Sequence, residues 1–126
     1  MCHVLIIEDE PLVAIDLELL LEREGATSFA FAVSQAEAVQ EAIARRPAFI
    51  TSDVTLVEGT GPLAVAIILD KLGSIPVIFI TGTPDACYPC HAESPILTKP
   101  FDRMAIARAF HHMMTLTGAS IAATPH

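Results

Sequence analysis

Five polar side chains stand out because each follows directly on a short apolar run. Glu8 and Asp9 follow Val4-Leu5-Ile6-Ile7, and Asp53 follows Ala48-Phe49-Ile50-Thr51-Ser52. Thr81 follows Pro76-Val77-Ile78-Phe79-Ile80, and Lys99 follows Ile96-Leu97-Thr98. In an open parallel sheet, ligands bind outside the carboxyl ends of the strands, so these side chains should converge on one crevice. Three carboxylates there repel. At ~5 Å and an effective dielectric of ~20, each pair costs on the order of 3 kcal/mol. Lys99 offsets part of this, and a divalent cation would offset more. Oxygen-only donors with room for water suit Mg²⁺, which also accepts phosphate oxygens. The chemistry that fits is phosphoryl transfer: a carboxylate attacks phosphorus, metal and lysine neutralise the oxygens, and a hydroxyl binds the last one.

The elements that must position these groups can be read from the hydrophobic pattern. Val4–Ile7 is compact and β-rich, as a buried strand would be. After Pro11, Leu12, Ile15, Leu19 and Glu22 recur at helical spacing up to a stop at Gly25. Leu17, Leu20 and Leu21 widen that stripe beyond what a one-sided helix needs. Thr27–Val33 reads as a second strand. Ser34-Gln35-Ala36-Glu37 is a capping box opening a helix with Ala38, Val39, Ala42 and Ile43. Ala48–Ser52 is the third strand, Glu58-Gly59-Thr60-Gly61 is turn chemistry, and Pro62 starts an apolar helix that ends at Gly73. Pro76–Ile80 and Ile96–Thr98 are the fourth and fifth strands, and Asp102 caps a last helix bearing Met104, Ile106, Ala107, Phe110 and Met113. Strand and helix alternate throughout, which predicts a parallel sheet covered on both faces. Between Thr83 and Pro95 the prolines leave no helical stripe, predicting a short, distorted or mobile fourth helix.

Composition narrows the setting. The chain has 126 residues, enough for one domain with its own core. With 52% hydrophobic and 17% charged residues and a mean hydropathy of +0.54, it is globular. Its longest wholly apolar run, Leu63–Leu69, is too short to span a bilayer, and no secretory signal opens the chain. A net charge of -8 argues against a duplex nucleic acid partner. Three cysteines without a signal point to a reducing cytoplasm.

In combination, the acidic pair after strand one, the lone Asp after strand three, the Thr with a small neighbour after strand four and the Lys-Pro after strand five resemble the receiver domain of two-component response regulators. The resemblance covers roughly residues 3 to 115. It implies a flavodoxin-like, doubly wound five-stranded sheet of order 2-1-3-4-5. It makes Asp53 the phosphoacceptor, with Mg²⁺ held by Glu8, Asp9, Asp53 and the backbone carbonyl of Thr55. Thr81 would bond a phosphoryl oxygen, Lys99 would pair with the phosphoryl group, and the Lys99-Pro100 bond would be cis. Receivers usually carry Tyr or Phe three residues before the lysine, where this chain has Ile96. Phe79-Ile80-Thr81-Gly82-Thr83 with Lys99-Pro100-Phe101 is similar to a subgroup with a Phe-Ala-Thr-Gly signature, which includes receivers of the alphaproteobacterial general stress response. For such a chain, phosphorylation is expected to reorder the segment from Thr81 to Ile96, with Thr83 at the rim tuning hydrolysis.

The implied function is a stand-alone, single-domain response regulator: a receiver over residues 1–118 and a short flexible tail over 119–126. It would take a phosphoryl group from a sensor histidine kinase or histidine phosphotransfer protein, and it would be no enzyme beyond its own phosphorylation and dephosphorylation. Docking would use the exposed leucines of the first helix. Output to a downstream protein, or a homodimer, would use the surface around strand five and the last helix. Two alternatives stand beside this one. The first is a receiver-like scaffold that ignores phosphorylation. The second is a small Mg²⁺-dependent phosphohydrolase, against which Thr55 stands where a second Asp is usual. Singly, each residue also has a plain role, and Glu10 reads as a helix-start charge. Cys87-Tyr88-Pro89-Cys90-His91 matches the c-type haem pattern but lacks an export signal, so it reads as two thiols in a loose loop. His111 and His112 point about 100° apart on a helix and read as surface residues.

Overall fold

The computed structural model describes residues 1–82 and 94–116. Five strands alternate with helices: β1 (His3–Ile7), α1 (Pro11–Arg23), β2 (Ser28–Ala32), α2 (Gln35–Ala44), β3 (Phe49–Ser52), α3 (Gly61–Leu72), β4 (Val77–Thr81), β5 (Ile96–Thr98) and α4 (Arg103–Leu116). The strands form one parallel sheet of order β2-β1-β3-β4-β5, as the alternation predicts. The expected helix between Thr83 and Pro95 lies outside the described residues, as do the Cys87–His91 motif, Thr83 and the tail from residue 117.

The sheet separates two apolar layers, and period-two alternation along each strand feeds both. Val4 and Ile6 of β1 join Leu17, Leu21, Phe49, Ile78 and Phe110 on the α1/α4 face. Leu5 and Ile7 join Ile50, Val77, Phe79, Ala38 and Ile68 on the α2/α3 face. On the first face, the rings of Phe49 and Phe110 meet edge-on at 4.7 Å.

Helix α1 departs from its sequence reading in one respect. The buried side chains are Ala14, Leu17, Leu20 and Leu21, whereas Leu12, Ile15 and Leu19 are exposed. The residues that seemed only to widen the stripe are its core, because their arc faces the sheet. Caps follow the sequence more closely. Ser34 Oγ accepts from the Glu37 amide at 3.1 Å, while the Glu37 carboxylate reaches one residue further back, to the Val33 amide at 2.9 Å. Thr60 Oγ1 caps α3 through the Leu63 amide, and an Asp102 carboxylate oxygen accepts from the Met104 amide. His111 lies at the surface, paired with Glu24 at 2.7 Å.

Register brings the ends of β1 and β3 level, and β4 and β5 run two residues further. Ile7 lies opposite Ser52, Ser52 opposite Phe79, and Thr81 opposite Thr98. The next residues, Glu8, Asp53, Gly82 and Lys99, therefore emerge along a single rim.

Candidate functional site

Asp53 leaves β3 under tight backbone control. Its N–H donates to the Ile7 carbonyl at 2.8 Å, and its own carbonyl accepts from Ser52 Oγ at 2.8 Å. The Gly61 amide donates to the Val54 carbonyl at 2.9 Å. Helix α3 begins so close to this corner that a Cβ on Gly61 would collide with the Asp53 carbonyl oxygen. Only glycine fits there. The sequence reading gave Gly61 a turn role alone. Its contact with Asp53 is set by how α3 packs on the end of β3 and leaves no signature beyond the glycine itself.

The side chain of Asp53 is buried and divides its two oxygens. Oδ1 accepts from the Val54 amide at 2.7 Å, and Oδ2 meets Lys99 Nζ at 3.1 Å. Lys99 also reaches Glu8, 3.1 Å to Oε1 and 3.3 Å to Oε2, and Glu10 Oε1 at 2.9 Å. One ammonium thus joins three carboxylates. Glu10 is the member that the sequence reading missed, since a third acid in a row looks like a helix-start charge. Its amide also donates to Glu8 Oε2 at 3.0 Å, which ties the two acids together.

Burial decides the electrostatics. Glu8 is only 4% exposed, and burial followed by the nearby Asp53 charge pushes its carboxyl up to about 7, against the pull of the Glu10 amide and Lys99. Burial works against the Lys99 ammonium, but the hydrogen bonds it donates to Glu10, Glu8 and Asp53 and the charge of Glu8 prevail, holding its pKa above the ordinary lysine range.

The other expected site residues fall at the same rim. Thr81 closes β4, buried, and its carbonyl accepts from the Lys99 amide at 2.9 Å. Thr55 is exposed two residues past Asp53, and it forms an antiparallel bridge with Thr60. Asp9, expected as a metal ligand, is half-buried just past β1 and is not among the gathered carboxylates, which are those of Glu8, Glu10 and Asp53, with oxygens within 4.8 Å of one another. An all-oxygen set of this density fits a hard divalent cation. Ile96, at the usual aromatic position, is 40% exposed opposite Phe79. The Lys99-Pro100 peptide is cis, as expected.

Among the described residues, no helix is long and apolar enough to cross a membrane. The family model of the response regulator receiver domain matches residues 4–111. The phyllosphere-induced regulator PhyR of Methylorubrum extorquens is 40% identical over 102 residues, covering 79% of this chain and 38% of that protein. The solution structure of the Erythrobacter litoralis PhyR response regulator REC domain superposes with a TM-score of 0.80 at 33% identity, covering 90% of each chain. A variant of the anti-anti-sigma factor PhyR from Bartonella quintana superposes with a TM-score of 0.81 at 32% identity, covering 94% of this chain and 50% of that one. The chain thus spans about half the length of that relative, or less in the M. extorquens protein. The matched span runs from β1 into α4 and holds all the residues gathered at the rim, and the chain belongs to the response regulator receiver domain family.

Proposed function

We propose that the protein is a phosphorylation-controlled signalling receiver, with Asp53 accepting a phosphoryl group from a phosphohistidine on a partner kinase or phosphotransfer protein. The carboxylate of Asp53 forms the new P–O bond as the P–N bond to the donor imidazole breaks. The electron pair leaves with the imidazole nitrogen, which takes up a proton. Later attack by water on phosphorus returns free Asp53 and inorganic phosphate. The observation that carries this reading is the single ammonium of Lys99 held at 3.1 Å from both a buried acceptor carboxylate and a second buried acid.

Lys99 supplies the fixed positive charge for the transferred oxygens. The hydroxyl of Thr81, on the neighbouring strand end, donates to one of them. The Val54 amide orients the Asp53 carboxylate. Glu8, Asp9, Asp53 and the Thr55 carbonyl would hold Mg²⁺, whose contribution when bound is to neutralise charge on the phosphoryl oxygens. The exposed stripe of Leu12, Ile15 and Leu19 on α1 offers an apolar surface for the helical phosphodonor domain. Output passes through contacts with a downstream protein, in line with the description of the B. quintana relative as an anti-anti-sigma factor.

The test is intact mass after incubation with Mg²⁺ and acetyl phosphate, repeated with a phosphorylated histidine kinase as donor. The wild type gains one phosphoryl group and Asp53→Ala gains none. No gain from either donor, or an equal gain in Asp53→Ala, overturns the proposal.

A further inference from the structure

We infer that Gln35, which lies outside the rim, is a positioning residue for the phosphoacceptor loop. It holds the segment from Val54 to Thr60 in the shape that metal binding requires. The inference rests on the phosphoacceptor reading of the site.

Gln35 opens α2, where a helix residue needs only its backbone. Its polar side chain is used elsewhere. The Gln35 N–H donates to the Glu58 carbonyl at 3.0 Å, and Gln35 Oε1 accepts from the Thr60 amide at 3.1 Å. Between those two partners sits Gly59 at φ +76°, and a Cβ there would run into the Gln35 side chain. One residue therefore grips the loop on both sides of a glycine that has no room to be anything else.

The grip is transmitted through contacts already described. Thr60 caps α3 and precedes Gly61, whose amide bonds the Val54 carbonyl and whose Cα rests against the Asp53 carbonyl. Across the same hairpin, Thr55 pairs with Thr60, the residue that Gln35 holds. Releasing Thr60 loosens Thr55, whose proposed ligand atom is its backbone carbonyl oxygen, which no rotamer change can re-aim. Asp53 keeps its own bonds to Ile7 and Ser52. The expected defect is therefore in binding the ion, with the chemistry at Asp53 preserved once the ion is bound.

The experiment uses the full chain and Mg²⁺ as the probe. In Gln35→Ala, calorimetric titration should show Mg²⁺ affinity weakened about tenfold. Phosphorylation by acetyl phosphate should need correspondingly more Mg²⁺ while its saturating rate stays near that of the wild type. Amide hydrogen exchange should quicken at Thr60 and Gly61. Gln35→Glu, which keeps an oxygen acceptor at the same reach, should restore binding and exchange. Should Gln35→Ala not fold, Gln35→Asn, one methylene short of Thr60, replaces it with the same expectations. Unchanged Mg²⁺ affinity in the truncated variant, or equal weakening in Gln35→Glu, overturns the inference alone. A wild type that takes up no phosphoryl group sinks the functional reading, and this inference with it.

Discussion

The two flanks of the rim are held by different forces. On the β3 flank, Asp53 is fixed by hydrogen bonds with uncharged partners and by close packing: the Ile7 carbonyl, Ser52 Oγ, the Val54 amide and the Gly61 Cα. All four residues of β3 are buried. On the opposite flank, β5 has three residues, two of them exposed, and the Lys99 side chain is held by ion pairs to Glu8, Glu10 and Asp53. The Asp53 backbone is therefore placed by shape, and the cation opposite it by charge. Shape does not respond to pH or to an added ion, whereas charge does. A phosphoryl group or metal entering the rim can redirect Lys99 without disturbing the backbone that carries Asp53.

The largest expected effect tests the shape-held flank. Gly61→Ala drives a methyl group into the Asp53 carbonyl, and overpacking against backbone should cost about 3 kcal/mol. A fall in the urea midpoint measures this. A loss under about 1 kcal/mol would show that the corner yields, and the contrast between flanks would weaken.

The next effect belongs to the charge-held flank. The Glu8 carboxyl sits near 7 in the folded protein and near 4.5 in its ordinary state. Between those values the folded chain holds a proton that the unfolded chain has released, so stability falls as pH rises from about 4.5 to 7. Above 7 the whole cost is present, on the order of 3 kcal/mol. Urea unfolding in EDTA at pH 5 and pH 8 should show this fall, and Glu8→Gln should remove most of it. An identical pH profile in the variant would mean that the rim's charges are screened.

The smallest effect concerns Arg103, which pairs with Asp16 near Lys99 and is 60% exposed on its side chain. Arg103→Ala should cost less than about 1 kcal/mol, and the difference should vanish in high salt. A larger, salt-independent loss would show that packing also secures this flank.

Much of this molecule is legible in local patterns. Apolar runs marked all five strands, and in β1, β3 and β4, whose residues are all buried, burial on both faces requires nearly continuous hydrophobic residues. Ser34 and Asp102 stood at helix starts, because capping acts within a few residues, whereas Thr60 read only as turn chemistry and its cap appeared with the fold. Leu12, Ile15 and Leu19 were less informative, since helical spacing says that residues share a face and not which face meets the sheet. Glu10 and Gln35 were passed over for a related reason. Each has an ordinary local role, as a helix-start acid and as part of a capping box, and that role conceals a second partner far away in sequence.

The order of residue types along the chain was enough to determine the alternating architecture and to nominate Glu8, Asp9, Asp53, Thr81 and Lys99 for one rim, since each stands at the carboxyl end of a parallel strand. Tertiary structure alone decided that Lys99 would join three acids, that Gly61 would press on the Asp53 carbonyl, and that Gln35 would grip the loop beyond it. Those outcomes depend on distances between segments that no local pattern relates. Hydrophobic periodicity encodes which elements form, but such distances are set only when the elements pack.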